Sequence, residues 1–406
     1  MGKKRLSICF LIFSGYNDRA ITSFCRLAKR ENLTYYIIAK DPYDQILKTD
    51  YREKVIFVRY NKGLTIEEFS VYKNMIDHEQ IIILPSTEFL NRFILLNRKE
   101  LNRLGYIIPL CNEALYRKIS DKYSFYKFCK DYNIPVPDEY SLKNIKFPFV
   151  AKPKKYVNTN MKILKPIIIN NEEEYKDFIK DYNSNDFFMQ EYIKGESIYL
   201  LFYFSIDGSY SIYSQENFIQ QSDGLSIIAA ESAEYHRNKH ITCYIDMLCA
   251  IKYRGIIMIE VRKKSNVFYM IEANPRLWGP SQLVIDSGMD LFYRLLKDYS
   301  VIEKIPDLKY RSYVKYFWSG GIIMDQSNNK SIVFHNKNMS DFVQDYSKYL
   351  ANDIYLKNDT FRIYIDESKL PVNRKILMEL YSKTSKHSGY QVIPEALNPY
   401  IKHTDL

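Results

Sequence analysis

Glu260, Glu272 and Asn274, with Arg276 two residues further on, are the residues in this chain best placed to do chemistry together. Two carboxylates and an amide oxygen are hard oxygen ligands, a set that suits magnesium held between a protein and nucleotide phosphates. A planar guanidinium just beyond them suits a phosphoryl group in transfer. The last three residues belong to the run IEANPR, and strand alternation points Glu272, Asn274 and Arg276 the same way.

Glu260 ends the preceding apolar run IIMIE, so the two segments read as a hairpin. For Glu260 to share the face of Glu272, the hairpin loop must hold an odd number of residues, for example Ser265, Asn266 and Val267. A two-residue turn would set Glu260 opposite Ile271 instead, on the other face from Glu272. The competing reading is a solvated polar face on an exposed hairpin. The apolar flanks IIMI and FYMI favour a buried metal site.

Upstream pieces complement the hairpin. Lys152 stands at the end of the apolar strand FPFVAKP, where its ammonium would meet phosphates in a cleft. Lys122 lies early in a helix that Ser120 is expected to cap, running to about Tyr132 and ended by Ile134-Pro135-Val136-Pro137. The segment MQEYIKGES reads as a strand kinked at Gly195, offering backbone groups to a purine ring and Glu196 to ribose hydroxyls. Solvated lysines and an ordinary strand-turn-strand are the plain alternatives for these pieces.

The elements that must position these residues follow from periodicity. Strands are expected at Ser7 to Phe13, Thr34 to Ala39, Lys54 to Arg59 and Gln80 to Leu84. Helices fit between and after them at about Asp18 to Arg30, Thr65 to Asp77 and Thr87 to Asn97. That alternation predicts a parallel, doubly wound sheet. Ligands collect at the carboxyl ends of such strands, so Ser14-Gly15-Tyr16 and Pro85-Ser86-Thr87-Glu88 are candidate substrate loops as well as candidate helix caps. Further on, a helix is expected near Glu172 to Asp181, then strands at Phe187 to Ile193, Ser197 to Ile206 and Tyr210 to Ile219. A helix at about Asn238 to Ile251 precedes the hairpin, and WSGG at Trp318 to Gly321 reads as a turn.

At 406 residues, with 46% hydrophobic and 26% charged residues, the chain has the composition of a globular protein of two or three domains. Its formal net charge of +10 favours an anionic ligand. The charge is dispersed along the chain rather than gathered in a patch, which argues against a nucleic-acid partner. Six cysteines without a CxxC pair read as free, largely buried thiols in a reducing compartment. The start MGKKRLSICFLIFSGYN looks superficially like a signal peptide, but its apolar run covers only Leu6 to Phe13 and reads as a buried first strand. No run approaches the ~20 apolar residues of a membrane span. A cytoplasmic location is expected, without membrane insertion, and homo-oligomerisation is left open.

Three weaker features remain. Arg262, two residues past Glu260 on the same strand face, suits a substrate carboxylate or a neighbouring acid. The run Asp223-Gly224-Leu225-Ser226, followed by Ala230 to Ser232, suits a substrate loop or a turn. His236 and His240, four apart, would share a helical face, where a solvated helix start is the favoured reading over a metal pair.

Taken in order, Asp121-Lys122, IPVP, FPFVAKP, QEYIKGE, Ile259-Glu260 and IEANPR resemble the ATP-grasp superfamily over roughly Cys111 to Tyr299. The nearest likeness is to its carbamoyl-phosphate-synthetase-like and carboxylate–amine ligase branches. The resemblance implies an α/β fold: a leading Rossmann-like parallel-sheet domain over residues 1–112, an ATP-grasp domain over 113–300 with a lid at about 147–195, and a C-terminal extension over 301–406. It also implies roles. Lys122 and Lys152 would hold the α- and β-phosphates of ATP. Gln190, Glu191, Tyr192 and Ile193 would line the adenine pocket, with Glu196 on the ribose. Glu260, Glu272 and Asn274 would carry Mg²⁺, with Mn²⁺ a substitute, and Arg276 would steady the transferred phosphoryl group. The activity implied is ligation of a small-molecule carboxylate to an amine through an acyl phosphate. Another nucleophile, or a non-catalytic nucleotide or polyanion binder that kept the fold, are the alternatives. One departure stands out: the family's phosphate-covering loop is commonly glycine-rich, whereas PKKYVNTNMK has no glycine, so Lys154, Lys155, Asn158 or Thr159 would have to contact phosphate by side chain.

Overall fold

A computed structural model describes residues 7–60, 63–141, 143–157 and 163–369. The apolar run near the start forms β1 (Ile8–Phe13), followed by β2 (Tyr35–Ala39), β3 (Val55–Val58), β4 (Gln80–Ile83) and β5 (Tyr106–Ile107). They make a parallel five-stranded sheet in the order β3-β2-β1-β4-β5. The intervening helices are Asp18–Arg30, Ile66–Met75 and Glu88–Leu96, as their periodicity predicts. Thr65 and Thr87 cap the last two by accepting from Glu68 N and Leu90 N. Strand order reverses between β1 and β4, so the loops after those two strands flank the crevice where such sheets bind ligands.

A second sheet has the order β6-β9-β7-β8, built from β6 (Glu139–Tyr140), β7 (Phe149–Pro153), β8 (Ile167–Ile169) and β9 (Phe187–Glu191). Phe149, Ala151, Ile169, Phe178, Phe187 and Met189 give it a small core of its own. The third sheet contains β10 (Glu196–Phe204), β11 (Tyr210–Gln220), β12 (Ile227–Ala233), β13 (Gly255–Lys264), β14 (Val267–Asn274), β15 (Lys315–Phe317) and β16 (Val333–Phe334). Its order is β14-β13-β10-β11-β12-β15, with β16 added on β11. One continuous core joins Phe24 of the first helix to Trp278, Phe292, Tyr349 and Ile354, so residues beyond 300 pack directly onto the leading and central sheets.

Several expectations are corrected. Ser120 does not cap the Lys122 helix; it ends a preceding helix, Glu113–Ser120, and Asp121 takes the N-cap position without a side-chain cap. The Asp121 carboxylate turns to Arg92 instead. The helix expected from Asn238 begins only at Thr242, after two short 3₁₀ turns, Tyr235–Arg237 and Lys239–Ile241. His236 and His240 therefore lie in separate turns and share no helical face. WSGG is not a turn but the start of the helix Ser319–Ser327. Its glycines answer to packing: a Cβ on Gly320 would collide with Glu367 Oε2.

Gly195 has a similar reason. It joins the second sheet to the third, and a Cβ there would run into the main-chain oxygen of Lys263, which cannot swing aside. Gly195→Ala is expected to destabilise the fold by about 1–3 kcal/mol in urea unfolding. Gly63→Ala, which meets nothing within 4 Å, should stay within about 0.5 kcal/mol of the parent.

Candidate active site

β13 and β14 are joined by a two-residue turn, Ser265 and Asn266, not by the odd-numbered loop expected from the alternation. Lys264 opposes Val267, Arg262 opposes Tyr269 and Val261 opposes Met270. The next pair is nevertheless Glu260 with Glu272, because Ile271 is inserted as a β-bulge. The odd residue that the shared face requires sits inside the strand rather than in the turn. The carbonyl of Ile271 accepts from Lys152 Nζ at 2.7 Å.

Around the paired glutamates the charges interlock. Lys122 Nζ donates to Glu272 Oε2. Asn274 Nδ2 donates to Glu272 Oε1 at 2.9 Å, and Arg276 Nη2 donates to Asn274 Oδ1 at 2.9 Å. Arg276 Nη1 donates to the Leu277 carbonyl at 3.0 Å, while its buried Nε has no partner among the described residues. Arg262 Nη2 lies 3.3 Å from Glu260 Oε1, so of its two sequence readings the neighbouring-acid one is realised here. Glu260 is buried, and burial pushes its carboxyl pKa up, with Arg262 opposing and Glu272 adding to the rise. Burial acts the same way on Glu272, but Lys122, the Asn274 amide and Lys152 together oppose it and hold that carboxyl down to about 2. Lys152 is only 5% exposed; burial, helped by Lys122, brings its ammonium down to about 7.

Among the described residues no three His, Cys, Asp or Glu side chains gather into a complete metal cluster. The donors present are two opposed carboxylates and the Asn274 amide, with Glu260 left short of positive charge. Such a partial oxygen shell fits a hard divalent cation whose remaining ligands are phosphate oxygens and water.

Other predicted residues lie further out. Gln190 is buried in the middle of the second sheet, opposite both Glu139 and Val150, and its Nε2 is 3.4 Å from the Pro137 carbonyl. Glu191 pairs with Lys264 at 3.5 Å, and Tyr192 and Ile193 lead into Gly195. Glu196 is held by Lys263 at 3.0 Å and by the Tyr235 hydroxyl at 2.9 Å. It opposes Lys263 while Tyr199 opposes Glu260, so alternation sets Glu196 on the opposite sheet face from the paired glutamates. Ser86 is fully buried, its hydroxyl 3.3 Å from the Phe13 carbonyl, and Thr87 is a helix cap. Ser226 closes a turn by accepting from Gln221 N. Lys154 lies 5.7 Å from the Tyr123 ring centroid and Lys155 is exposed; Asn158 and Thr159 lie outside the described residues.

Sequence reasoning missed three groups of contacts. Asn17 Nδ2 donates to the carbonyls of both Ser86 and Leu277, tying the loops after β1 and β4 to the end of the IEANPR run. Arg92 pairs with Glu88 and Asp121 at 2.6 Å each, and Tyr116 donates to Glu88. His335 and Gln220 both contact Arg262. The Glu88–Arg92 spacing of four was a readable helical pair; the other contacts join residues far apart in sequence and leave no local signal.

Residues 119–280 match the ATP-grasp domain family. That stretch is the chain's ATP-grasp-like domain. No curated protein sequence matches the chain significantly. Among solved structures, the biotin carboxylase–β,γ-ATP complex of Campylobacter jejuni is similar at 14% identity and a TM-score of 0.57, covering 74% of this chain and 73% of the other. The biotin carboxylase domain of Hydrogenobacter thermophilus 2-oxoglutarate carboxylase, solved with MgADP, ADP and bicarbonate, is 13% identical with a TM-score of 0.58, over 77% and 74%. N5-carboxyaminoimidazole ribonucleotide synthetase of Thermus thermophilus gives 13% and 0.55, over 75% and 81%. At such identities the likeness is one of fold. Among the described residues no helix is long and apolar enough to cross a membrane. Cys9, Cys25, Cys111 and Cys129 are buried free thiols, Cys243 is half-buried and Cys249 exposed.

The depressed Lys152 gives a pH signature. Between its folded value of about 7 and the ordinary 10.5, the unfolded chain holds a proton the folded chain lacks. Its contribution to stability therefore rises with pH across that window. In urea unfolding of the ligand-free protein, the advantage of Lys152→Met over the parent should be largest at and below pH 7 and narrow as pH rises towards 10.5. A pH-independent difference would show that the ammonium is not penalised.

Proposed function

We propose that this chain is an ATP- and Mg²⁺-dependent carboxylate–amine ligase that works through an acyl phosphate. The observation that carries the reading is the bulge at Ile271, which sets Glu260 against Glu272 on the face shared by Asn274, within reach of Lys122, and brings Lys152 to the bulge itself. The matching family and the nucleotides named in the solved neighbours support it. In this reading residues 1–112 are the leading domain, 113–300 the ATP-grasp domain with its lid at about 147–195, and 301–406 an extension.

A carboxylate resists attack because its own charge repels nucleophiles. Here the acid's oxygen attacks the γ-phosphorus, the bond to the β–γ bridging oxygen breaks and ADP leaves. The amine then attacks the acyl carbon, forming the amide and expelling phosphate with loss of a proton from nitrogen. Lys122 and Lys152 bind the α- and β-phosphates, exchanging their present partners for phosphate oxygens. Arg276, whose Nε is still unpartnered among the described residues, orients the transferred group. Gln190 to Ile193 receive the adenine and Glu196 the ribose. Glu196 reaches that role only by leaving Lys263, the least direct of these assignments. Glu260, Glu272 and Asn274 would hold Mg²⁺, or Mn²⁺ in its place, and the ion supplies positive charge to the γ-phosphate. Most of the acceleration is positioning and electrostatics. The loops tied together by Asn17 are the natural seat of the acid, whose candidates include an amino acid, a sugar acid or a cell-wall precursor.

The test is product analysis with pooled carboxylates and amines. ADP and phosphate, released only when both partners are present, are expected. AMP and pyrophosphate would overturn the mechanism, and ADP without need of an amine would point to another nucleophile. Glu272→Ala should lower turnover by about 10²-fold or more while the protein stays folded; a polyanion binder would be nearly indifferent to it.

A further inference from the structure

Beyond the matched domain, β16 is only two residues long, yet its register is fixed: Phe334 opposes Ile219, Val333 opposes Gln220, and His335 N donates to the Phe218 carbonyl at 2.9 Å. That pairing delivers the His335 ring to Arg262. A guanidinium can only donate, so the 2.8 Å contact from Arg262 Nη1 makes His335 Nδ1 the acceptor and places the ring proton on Nε2. Nε2–H then donates to Gln220 Oε1 at 2.9 Å, and the Gln220 amide donates to the Leu225 carbonyl at 3.0 Å. Arg262 Nη1 also lies 3.5 Å from Nε2, the longer of its two approaches to the ring. Burial, reinforced by Arg262, pushes the imidazole down to about 3, so the ring stays neutral and able to accept.

Arg262 is thereby pulled two ways. His335 holds it at 2.8 Å, while Glu260 lies at the longer 3.3 Å, the same distance as Gln220. A charge-assisted guanidinium–carboxylate pair normally closes to about 2.7–2.9 Å. We propose that His335 is a positioning residue that holds Arg262 back from Glu260, leaving this carboxylate available to the divalent cation that accompanies the nucleotide. The inference rests on the metal-ligand reading of Glu260 given above. Without the imidazole acceptor, the guanidinium swings onto the carboxylate two residues away on its own strand, and a cation must displace it. The segment after residue 300 is on this account part of the site.

The experiment is calorimetric titration of ATP into the full chain over a series of free Mg²⁺ concentrations, with the melting temperature recorded for each variant. His335→Leu should raise the half-saturating Mg²⁺ roughly tenfold, the equivalent of about 1.4 kcal/mol. His335→Gln, whose amide offers the same acceptor and donor, should return it to within about twofold of the parent. In an Arg262→Met background His335→Leu should have no further effect, because the competitor is gone. A shift of the same size in both backgrounds, or none in either, would overturn the proposal. Arg262→Met alone serves where the leucine variant fails to fold: it should leave the Mg²⁺ requirement equal or lower, and a higher requirement also overturns the idea. A parent protein that binds ATP normally but without need of Mg²⁺ would instead remove the metal reading on which it rests.

Discussion

Two carboxylates set opposite one another across a pair of strands and shielded from water are unstable unless positive charge is brought to them. That constraint organises the region around Glu260 and Glu272. Lys122 comes from a helix start, Lys152 from β7 inside the second sheet, and Arg262 from the same strand as Glu260. The counter-charges are unevenly shared. Glu272 is strongly stabilised as an anion, whereas Glu260 is not, and its one close cation among the described residues is also held by a neutral histidine. An arrangement that leaves the buried one of two opposed acids short of charge is receptive to a cation arriving with a ligand.

The fold was largely legible because its signals are local. β1 to β4 and their helices follow from apolar runs and 3.6-residue periodicity, and Thr65 and Thr87 announce their helices by capping. The helix at Asp18–Arg30 falls where the pattern places it. Errors arose where packing overrode propensity. Gly320 and Gly321 suggested a turn, yet they sit in a helix, at positions where Glu367, Trp318 and Ile228 leave no room for a side chain. Ser120 suggested a cap, yet a preceding helix runs through it.

The site was legible in part for the same reason. Glu272, Asn274 and Arg276 are spaced by two, so their common face follows from the sequence alone. The side of Glu260 depended on an inserted residue, and nothing in VFYMIEAN marks Ile271 as that residue. Contacts between distant segments were out of reach altogether. Asn17 reads as an ordinary helix start, although its amide bridges two loops through Ser86 and Leu277. His335 lies 73 residues beyond Arg262, with no pattern to connect them.

The inserted Ile271 has an implication for how this hairpin tolerates change. What places the acids together is the parity of the residue count between them, not the chemistry of any intervening side chain. Losing one codon anywhere along that stretch would barely alter composition or hydropathy, yet it would send one acid through the sheet to the opposite surface. A paired gain and loss, one in the turn and one in the strand, would restore the arrangement. Length, here, is held more tightly than identity.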